Sequence, residues 1–400
     1  MRNTSRGKIE DLLFGMMREN LRAFCLERWQ SLHENFARTN MSESGVFPLR
    51  LNELESFGLN LEELMNMEIG YGWTGGSPEL RERIAELYKG EVSREEVLVT
   101  AGSAEANLVA AMSTVKLGET AVVDLPNYMQ IPGLIEFLGG KKLELRRSPP
   151  SWAFPIERAI NIIEERRPKA AFICNPNNPT ATVIPEKDIA ELGDAARRAG
   201  TILIFDEVYW GSELNGERPS ALEILGKDSA VSVSGLSKVY GLPGLRIGWL
   251  SGKKEIVERA WSAKDYVSIA PSILSDKIAS HILGGESIER LRSRAKEIVR
   301  KNLREFLSRA SGDLLSPLQP QAGAFIWASV PWEENTLSLA LDLFENWKIL
   351  VNPGECFESP GYLRIGLGQE PKSFSGAMDE LVGALSKERE KRVNIEKMNR

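Results

Sequence analysis

Lys238 and Arg246 are the residues of this 400-residue chain whose types and spacing most directly suggest chemistry. Lys238 follows a short apolar run, Ala230 to Ser234, and a loop rich in glycine and proline leads on to Arg246. A lysine amine forms a Schiff base with an aldehyde, and a guanidinium binds a phosphate. Pyridoxal 5'-phosphate carries both groups. A lysine after a strand is more often a solvated surface residue, so this interpretation depends on the neighbouring residues.

Two turns that follow apolar runs are suited to holding ligand oxygens. The first contains Ser103 and Ala104 and joins the run Val97 to Thr100 to a helix, whose free N–H groups suit a phosphate. The second surrounds Asn178 and contains two prolines, which hold its amide still. Both turns also have a purely structural interpretation, because glycine, serine and proline are common in connections.

Two charged residues lie where a charge needs a partner. Asp206 ends the apolar run from Thr201, and a buried carboxylate there requires a positive group such as a protonated pyridine nitrogen. A helix cap or an ion pair with an arginine is the alternative. Arg364 stands among apolar and small residues, where its guanidinium requires a carboxylate from a ligand or from an internal salt bridge.

The pattern of apolar runs predicts an α/β fold. Seven short runs alternate with helical stretches between Val97 and Leu250, which is typical of a mostly parallel seven-stranded sheet with helices on both faces. Beyond Trp261, long helical segments and short strands predict a smaller α+β domain. Because ligands bind at the carboxyl ends of such strands, the candidate residues other than Arg364 are expected to meet at one edge of the sheet.

The rest of the chain is assigned by local pattern. One amphipathic helix is predicted from about Ile9 to Asn35, and a connector follows at Ser44 to Pro48. We expect four regions: an N-terminal helix and connector packing on the small domain (1–47), a large cofactor-binding domain (48–276), a small domain (277–385), and a charged tail that is a solvated helix end or disordered (386–400).

Composition argues against several classes of protein. A net charge of -6 disfavours a nucleic-acid partner, and the two histidines lack the spacing of a zinc site, so no metal is expected. The three scattered cysteines predict reduced thiols. No apolar run spans a membrane or resembles a secretory signal. We therefore expect a cytoplasmic protein without a membrane partner.

Together these motifs resemble the class I/II aminotransferases, which are fold-type-I pyridoxal-phosphate enzymes similar to aspartate aminotransferase. The resemblance extends from about Phe24 to Leu385. Its motifs are Ser-Lys-Val-Tyr-Gly-Leu-Pro-Gly-Leu-Arg at Lys238, Asn-Pro-Asn-Asn-Pro-Thr at Asn178, Asp-Glu-Val-Tyr at Asp206 and Tyr-Gly-Trp-Thr-Gly-Gly-Ser-Pro-Glu-Leu-Arg from Tyr71. It implies ping-pong transfer of an amino group from an L-amino acid to a 2-oxo acid, through a Schiff base on Lys238.

The resemblance also implies a role for each matching position. Lys238 would bind the cofactor aldehyde and move a proton, and Asp206 would keep the pyridine nitrogen protonated. Tyr71 would reach the phosphate of a neighbouring subunit, which implies a homodimer with shared active sites. The remaining positions are Ser103, Ala104, Ser237 and Arg246 for the phosphate, Tyr128 for the ring, Asn178 and Tyr209 for the phenolic oxygen, and Arg364, Asn178 and Gly45 for the substrate carboxylate.

Two positions depart from the family pattern. Gly235 stands where many members have serine or threonine, and Ala181 stands where they have glycine. Backbone amides and Arg246 would still carry the charge of the phosphate.

Other functions fit parts of the sequence. Ser42 to Leu51 resembles enzymes similar to capreomycidine synthase, so a pyridoxal-phosphate lyase or β-replacement cyclase acting on a basic amino acid is the main alternative. Asp265, near the expected subunit boundary, would favour an amino or guanidino substrate. A non-catalytic cofactor-binding protein would not need both Lys238 and Arg364. A dinucleotide oxidoreductase is disfavoured, because the glycine-rich stretch before Trp249 precedes a strand instead of joining a strand to a helix.

Overall fold

A computed structural model of the chain describes residues 2–18 and 21–398. Residues 1, 19, 20, 399 and 400, which belong to the predicted N-terminal region and charged tail, lie outside the described residues. The boundaries of the four predicted regions stay predictions. Within the two described ranges, no helix is long and apolar enough to cross a membrane.

The N-terminal region has two helices, so the prediction of one helix from Ile9 to Asn35 is wrong. The chain leaves the first helix at Gly15, where an added Cβ would lie 2.2 Å from the Asp11 carbonyl oxygen. Glycine tolerates this close turn, and the apolar periodicity does not reveal it. The elements are α1 (Arg2–Phe14), the antiparallel strands β1 (Met16–Arg18) and β2 (Leu21–Arg22), α2 (Cys25–His33) and β3 (Thr39–Asn40).

The central sheet has seven strands and is mostly parallel, as predicted, with the order β4-β10-β9-β8-β7-β5-β6. Its strands are β4 (Val97–Thr100), β5 (Thr120–Leu125), β6 (Lys141–Arg146), β7 (Ala170–Cys174), β8 (Ile202–Asp206), β9 (Ala230–Gly235) and β10 (Gly248–Ser251). β10 runs antiparallel to both β4 and β9, and the other neighbouring pairs are parallel. β4 and β9 therefore run in the same direction, and their carboxyl ends share one edge.

Helices cover both faces of this sheet because its strands are apolar on both faces. Leu203 and Phe205 of β8 pack into one hydrophobic core, and Ile204 between them packs into the other. The helices of this part of the chain are α3 (Leu61–Met65), α4 (Pro78–Glu86), α5 (Ser103–Thr114), α6 (Gln130–Phe137), α7 (Ile156–Arg166), α8 (Glu186–Ala199), α9 (Ala221–Leu225) and α10 (Lys254–Lys264).

A smaller α+β part follows, as predicted. Its antiparallel sheet has the order β11-β12-β15-β14. The short strand β13 pairs in parallel with β3, so the N-terminal region joins the small domain. The elements of this smaller part are α11 (Ile273–Ile282), α12 (Ser287–Arg309), β11 (Ser316–Pro317), β12 (Phe325–Ser329), α13 (Thr336–Trp347), β13 (Ile349–Leu350), β14 (Asn352–Pro353), β15 (Tyr362–Gly366) and α14 (Pro371–Met398).

Cys25 and Cys356 form a disulfide, so the expectation of three reduced thiols is wrong. Cys25 opens α2, and Cys356 lies in a short 3-10 helix before β15. Their Cα atoms are 5.0 Å apart although 331 positions separate them in the sequence. Spacing along a chain does not show which cysteines folding brings together. Cys174 is a buried thiol.

The charged tail is helical as far as Met398 and packs against the small domain up to Arg392, so the alternative of a disordered tail is wrong for residues 386–398. Glu388 is buried and accepts a hydrogen bond from Trp347 Nε1 at 3.2 Å. Arg392, one turn further on, pairs with Glu388 and with Asp342. Residues four apart share a helix face, so one side of the charged segment packs against the small domain.

Candidate active site

A cavity of about 530 Å³ opens at the edge where the strands of the large sheet end. Asp206 ends β8, Lys238 follows β9 and Ser103 follows β4, and all three side chains line the cavity. Most of the site residues predicted from the sequence are brought together here, namely Ser103, Ala104, Tyr128, Asn178, Asp206, Tyr209, Ser237, Lys238, Arg246 and Arg364.

Two predicted site residues lie outside this lining. Tyr71 is 90% exposed in the single chain. Gly45 lies behind the lysine, because a Cβ added to it would be 3.0 Å from the Ser237 carbonyl oxygen and 3.2 Å from Lys238 Cα. Glycine at this position lets the connector pack directly on the backbone of Lys238. Asp265 is also exposed and outside the cavity.

The amine of Lys238 forms no hydrogen bond or ion pair with any described residue. Burial lowers the pKa of Lys238 below its usual range, and the positive charges of Arg364 and Arg246 act in the same direction. The negative charges of Glu43 and Glu27 oppose this shift. A lowered pKa favours the neutral amine, which is the nucleophilic form.

Asp206 is a buried carboxylate without a cationic partner among the residues described. Its Oδ2 accepts a hydrogen bond from Asn107 Nδ2 at 2.9 Å, and its Oδ1 accepts one from the Val208 N–H at 3.2 Å. Burial raises the pKa of Asp206, whereas these hydrogen bonds and the charge of Lys238 lower it. Because no arginine in residues 2–18 or 21–398 pairs with Asp206, the site fits a protonated ring nitrogen of a ligand.

Asn107 is a site residue that the sequence reasoning missed. It lies on α5 one turn after Ser103, so both residues face the same side of the helix. Its Oδ1 is buried and has no hydrogen-bond partner in the described part of the chain. The sequence signal that could have identified Asn107 is its spacing of four residues from Ser103, which places both residues on one face of a helix.

The start of α5 and Arg246 together form a site for an anion. Arg246 Nη1 donates to Ser237 Oγ at 3.5 Å and to the Pro243 carbonyl at 3.2 Å. A Cβ added to Gly102 would lie 2.4 Å from Arg246 Nη2, so glycine is what allows the guanidinium to approach the helix start. No carboxylate of residues 2–18 or 21–398 pairs with Arg246. Free N–H groups, two serine hydroxyls and an unpaired cation suit a phosphate.

The glycine at position 235 has a packing explanation. A Cβ there would lie 2.9 Å from the Ile247 carbonyl oxygen and 3.1 Å from Gly248 Cα. Neighbouring backbone therefore occupies the space that a serine or threonine would need. In this chain Ser237 supplies a hydroxyl to the cavity instead.

Arg364, on β15, is 2% exposed and still has no carboxylate partner in the part of the chain that the structure describes. Its Nη1 donates to Asn178 Oδ1 at 2.8 Å and its Nη2 to the Ser42 carbonyl at 2.9 Å. Its Nε is buried and unpaired. The internal salt bridge considered from the sequence is therefore not formed. Burying an unpaired cation is costly, so this guanidinium suits a ligand carboxylate.

Asn178 and Tyr209 face the same cavity. Because Asn178 Oδ1 accepts from Arg364, its amide nitrogen is left to donate to a ligand. Tyr209 donates its hydroxyl hydrogen to Ser44 Oγ at 3.0 Å. Burial raises the pKa of Tyr209, which keeps the phenol neutral. Ser44 lines the cavity and was not predicted as a site residue.

One wall of the cavity comes from α2 and the residue before it. Tyr128 donates its hydroxyl hydrogen to Glu27 Oε1 at 2.7 Å, and its ring packs edge-on against Phe24. Burial raises the pKa of Tyr128, and the charge of Glu27 adds to this effect. No local sequence signal connects this helix to a sheet edge about a hundred residues further on. The wall residues are Phe24, Leu26, Glu27 and Gln30.

Comparison with known proteins decides the family. The family model described as aminotransferase class I and II matches residues 51–381. The chain belongs to the class I and II aminotransferases. The resemblance inferred from the motifs is confirmed.

Several known proteins are similar to this chain over most of its length. A probable aspartate/prephenate aminotransferase from Thermus aquaticus is 26% identical over 79% of this chain and 83% of its own length. Capreomycidine synthase from Streptomyces vinaceus is 26% identical over 85% of this chain and 88% of its own. The crystal structure of a PLP-dependent aminotransferase from Streptococcus suis is 27% identical, has a TM-score of 0.84, and covers 91% of this chain and 97% of that one.

Proposed function

We propose that the chain is a pyridoxal-phosphate-dependent aminotransferase of amino acid metabolism, which moves an amino group from an L-amino acid to a 2-oxo acid by a ping-pong mechanism. One observation carries this proposal. Arg364, a buried cation without a carboxylate partner among the described residues, lines the same cavity as the unpaired amine of Lys238. A guanidinium for the α-carboxylate and an amine for the reacting centre are what both substrates require.

Each of these side chains has its own role in the proposed reaction. Bound pyridoxal phosphate would supply an aldehyde for Lys238 and an electron-withdrawing ring that stabilises negative charge at the substrate Cα. Asp206 would hold the ring nitrogen protonated, and Arg246 with the start of α5 would hold the phosphate. Lys238 Nζ, in its neutral form, would take the proton from the donor's Cα and deliver it to the C4' carbon of the cofactor, and would move a proton in the opposite direction when the acceptor reacts. Arg364 would orient the donor and then the acceptor by their carboxylates.

Covalent trapping at Lys238 tests this proposal. We expect borohydride treatment of the purified protein to attach the cofactor to the peptide that contains Lys238, as located by mass spectrometry. Lys238→Ala should abolish both the adduct and amino transfer while the fold is retained. Lys253→Ala, which removes an exposed lysine, should leave both unchanged. A folded protein that gives no adduct at Lys238 would contradict the proposal.

A second candidate is a lyase or β-replacement cyclase that acts on a basic amino acid. The alignment with capreomycidine synthase over 85% of the chain supports it. The two reactions differ when an amino donor is supplied alone. A transaminase loses the absorbance of its lysine-bound cofactor and releases one equivalent of 2-oxo acid. A lyase or cyclase regains that absorbance, because the cofactor returns to the lysine at the end of each turnover.

We further propose that the chain works as a homodimer in which Tyr71 reaches the phosphate of the partner. An exposed aromatic surface supports this, because Tyr71, Trp73 and Tyr266 are 90%, 65% and 89% exposed. Lys264 Nζ donates to the Thr74 carbonyl at 2.9 Å and to the Ile269 carbonyl at 2.6 Å. This buried amine therefore holds the two exposed loops together as one surface.

We retain the cytoplasmic location as a proposal. The apolar pattern of the sequence favoured it, whereas the disulfide between Cys25 and Cys356 is more typical of an oxidising compartment. Fractionation of the source cells with an antibody against the protein decides the question, and recovery outside the cytoplasmic fraction contradicts the proposal.

A further inference from the structure

Charged side chains line the cavity in excess of what amino transfer needs. In the described chain they are Glu27, Asp206, Lys238, Arg246 and Arg364. In the proposed function Asp206 takes the ring nitrogen, Lys238 the aldehyde, Arg246 the phosphate and Arg364 the α-carboxylate. Glu27 is therefore the one charged residue of this lining without an assigned role. The side chain of the substrate is the one part of the ligand without an assigned partner.

Glu27 is placed to receive a ligand. It lies at the exposed mouth of the cavity, whereas Asp206 is buried at the floor. Oε1 accepts the hydrogen bond from Tyr128, and Oε2 has no hydrogen-bond partner among the described residues. No lysine or arginine within the described ranges forms an ion pair with Glu27. The carboxylate therefore offers one oxygen to the cavity.

Glu27 also lies close enough to the reacting groups to affect them. Its negative charge opposes the lowering of the pKa of Lys238, and it opposes the same effect of burial on Arg364. Opposite charges thus line one cavity, with Arg364 buried and carrying an unpaired Nε. An amino acid whose carboxylate is held by Arg364 would extend its side chain within reach of this charge.

We infer that the substrate is an amino acid with a cationic side chain, an amino or guanidino group, and that Glu27 binds that cation. This inference rests on the proposed function. Phe24 and Leu26, which line the same wall, would contact the methylene groups of such a side chain. A dicarboxylic amino acid would instead place its second carboxylate near Glu27, and no unassigned cation of the described chain lines the cavity to bind it.

Matched pairs of amino acids test the inference. Arginine and citrulline have nearly the same shape and differ in charge, as do ornithine and norleucine. We expect the wild-type protein to use the charged member of each pair about 10- to 100-fold more efficiently in kcat/KM, the range for a hydrogen bond to a charged group. Glu27→Gln retains an acceptor for Tyr128 and removes the charge, so we expect it to reduce this ratio to near one.

Two further variants separate charge from shape. Glu34→Gln removes an exposed carboxylate that lies just after α2 and outside the cavity, so the ratio should stay at the wild-type value. Tyr128→Phe removes the hydrogen bond to Glu27 and keeps the charge, so the ratio should persist even where overall turnover falls. Loss of the ratio in Tyr128→Phe but not in Glu27→Gln would assign Glu27 to positioning Tyr128 and overturn the inference.

A binding measurement does not depend on turnover. Phosphopyridoxyl-arginine and phosphopyridoxyl-citrulline, stable reduced conjugates of cofactor and amino acid, can be titrated calorimetrically into full-length protein freed of cofactor. We expect tighter binding of the arginine conjugate, and loss of that difference in Glu27→Gln. Equal binding, or preference for a glutamate conjugate, contradicts the role of Glu27. Failure of every conjugate and every amino acid to bind or react would contradict the proposed function itself.

Discussion

Asp206 and Glu207 are adjacent carboxylates with opposite surroundings. Asp206 faces the cavity, whereas Glu207 is buried on the other side, where Oε1 accepts the Ala221 N–H at 2.7 Å and Oε2 accepts the hydroxyl of Ser232. Successive side chains at a strand end point to opposite faces, so one residue is available to a ligand and the other belongs to the core. Burial raises the pKa of Glu207 to about 8.

This pKa predicts how stability depends on pH. The ordinary value for a glutamate is 4.5, so between pH 4.5 and about 8 the folded state keeps a proton that the unfolded state has lost. The stability that Glu207 contributes is therefore present at low pH and is lost as pH rises through this window. We expect the thermal midpoint of Glu207→Gln to fall less between about pH 5 and about pH 8 than that of wild type. Glu217→Gln, an exposed control, should retain the wild-type slope, and equal slopes in all three proteins would contradict the prediction.

At the scale of elements, α2 both forms a wall of the cavity and contacts residues of the small domain. Trp29 Nε1 donates to the Val351 carbonyl at 2.9 Å, and Cys25 is joined to Cys356. The residues that face the substrate, Glu27 among them, thus depend on contacts made on the other side of the same helix. A change in these contacts should alter stability and substrate binding together.

Cys25→Ser tests that dependence. Loss of a disulfide typically lowers the free energy of unfolding by about 2–4 kcal/mol, and we expect this effect in Cys25→Ser. Because Cys25 opens the helix that carries Glu27, we also expect KM to rise more than kcat falls. Differential scanning calorimetry and steady-state kinetics measure the two effects. A non-thiol reductant should shift wild type to the midpoint of the variant and leave the variant unshifted. A reductant that shifts neither protein would argue against a disulfide in solution.

At the scale of the whole molecule, the site is assembled from three parts of the chain. Lys238 lies in the loop after a strand of the large sheet, Arg364 lies on a strand of the small sheet, and Glu27 lies in the N-terminal region. The single chain also leaves Tyr71 exposed beside other aromatic residues, where a second copy is expected to dock. Under the proposed homodimer, Tyr71 of a second chain would complete the phosphate site.

Tyr71→Phe tests the shared site. Loss of one hydrogen bond to a charged phosphate is expected to weaken cofactor binding about tenfold without changing the dimer. Equilibrium dialysis of the cofactor and light scattering measure the two quantities. Tyr266→Phe changes an aromatic residue of the same exposed surface and should leave cofactor affinity unaltered. Unchanged affinity in Tyr71→Phe, or a monomeric mass for wild type, would contradict the prediction.

The local pattern of apolar residues was sufficient to predict the large sheet and the residues that lie at its edge. Continuous apolar runs such as Ala170–Cys174 are typical of strands buried on both faces, and parallel strands place the residues that follow them side by side. Lys238, Asp206 and Ser103 were therefore predictable as neighbours. Their chemical types, with the resemblance to a family, indicated the cofactor.

Contacts between distant segments were not predictable from the sequence. The turn at Gly15, the pairing of Cys25 with Cys356 and the approach of Glu27 to Tyr128 join or redirect segments whose local patterns give no sign of these contacts. Periodicity reports which face of an element is apolar, but it does not report which other element covers that face. The sequence by itself thus determined the sheet, its edge and the chemistry placed there. Only the tertiary structure decided which distant side chains complete the cavity, because that depends on how whole elements pack.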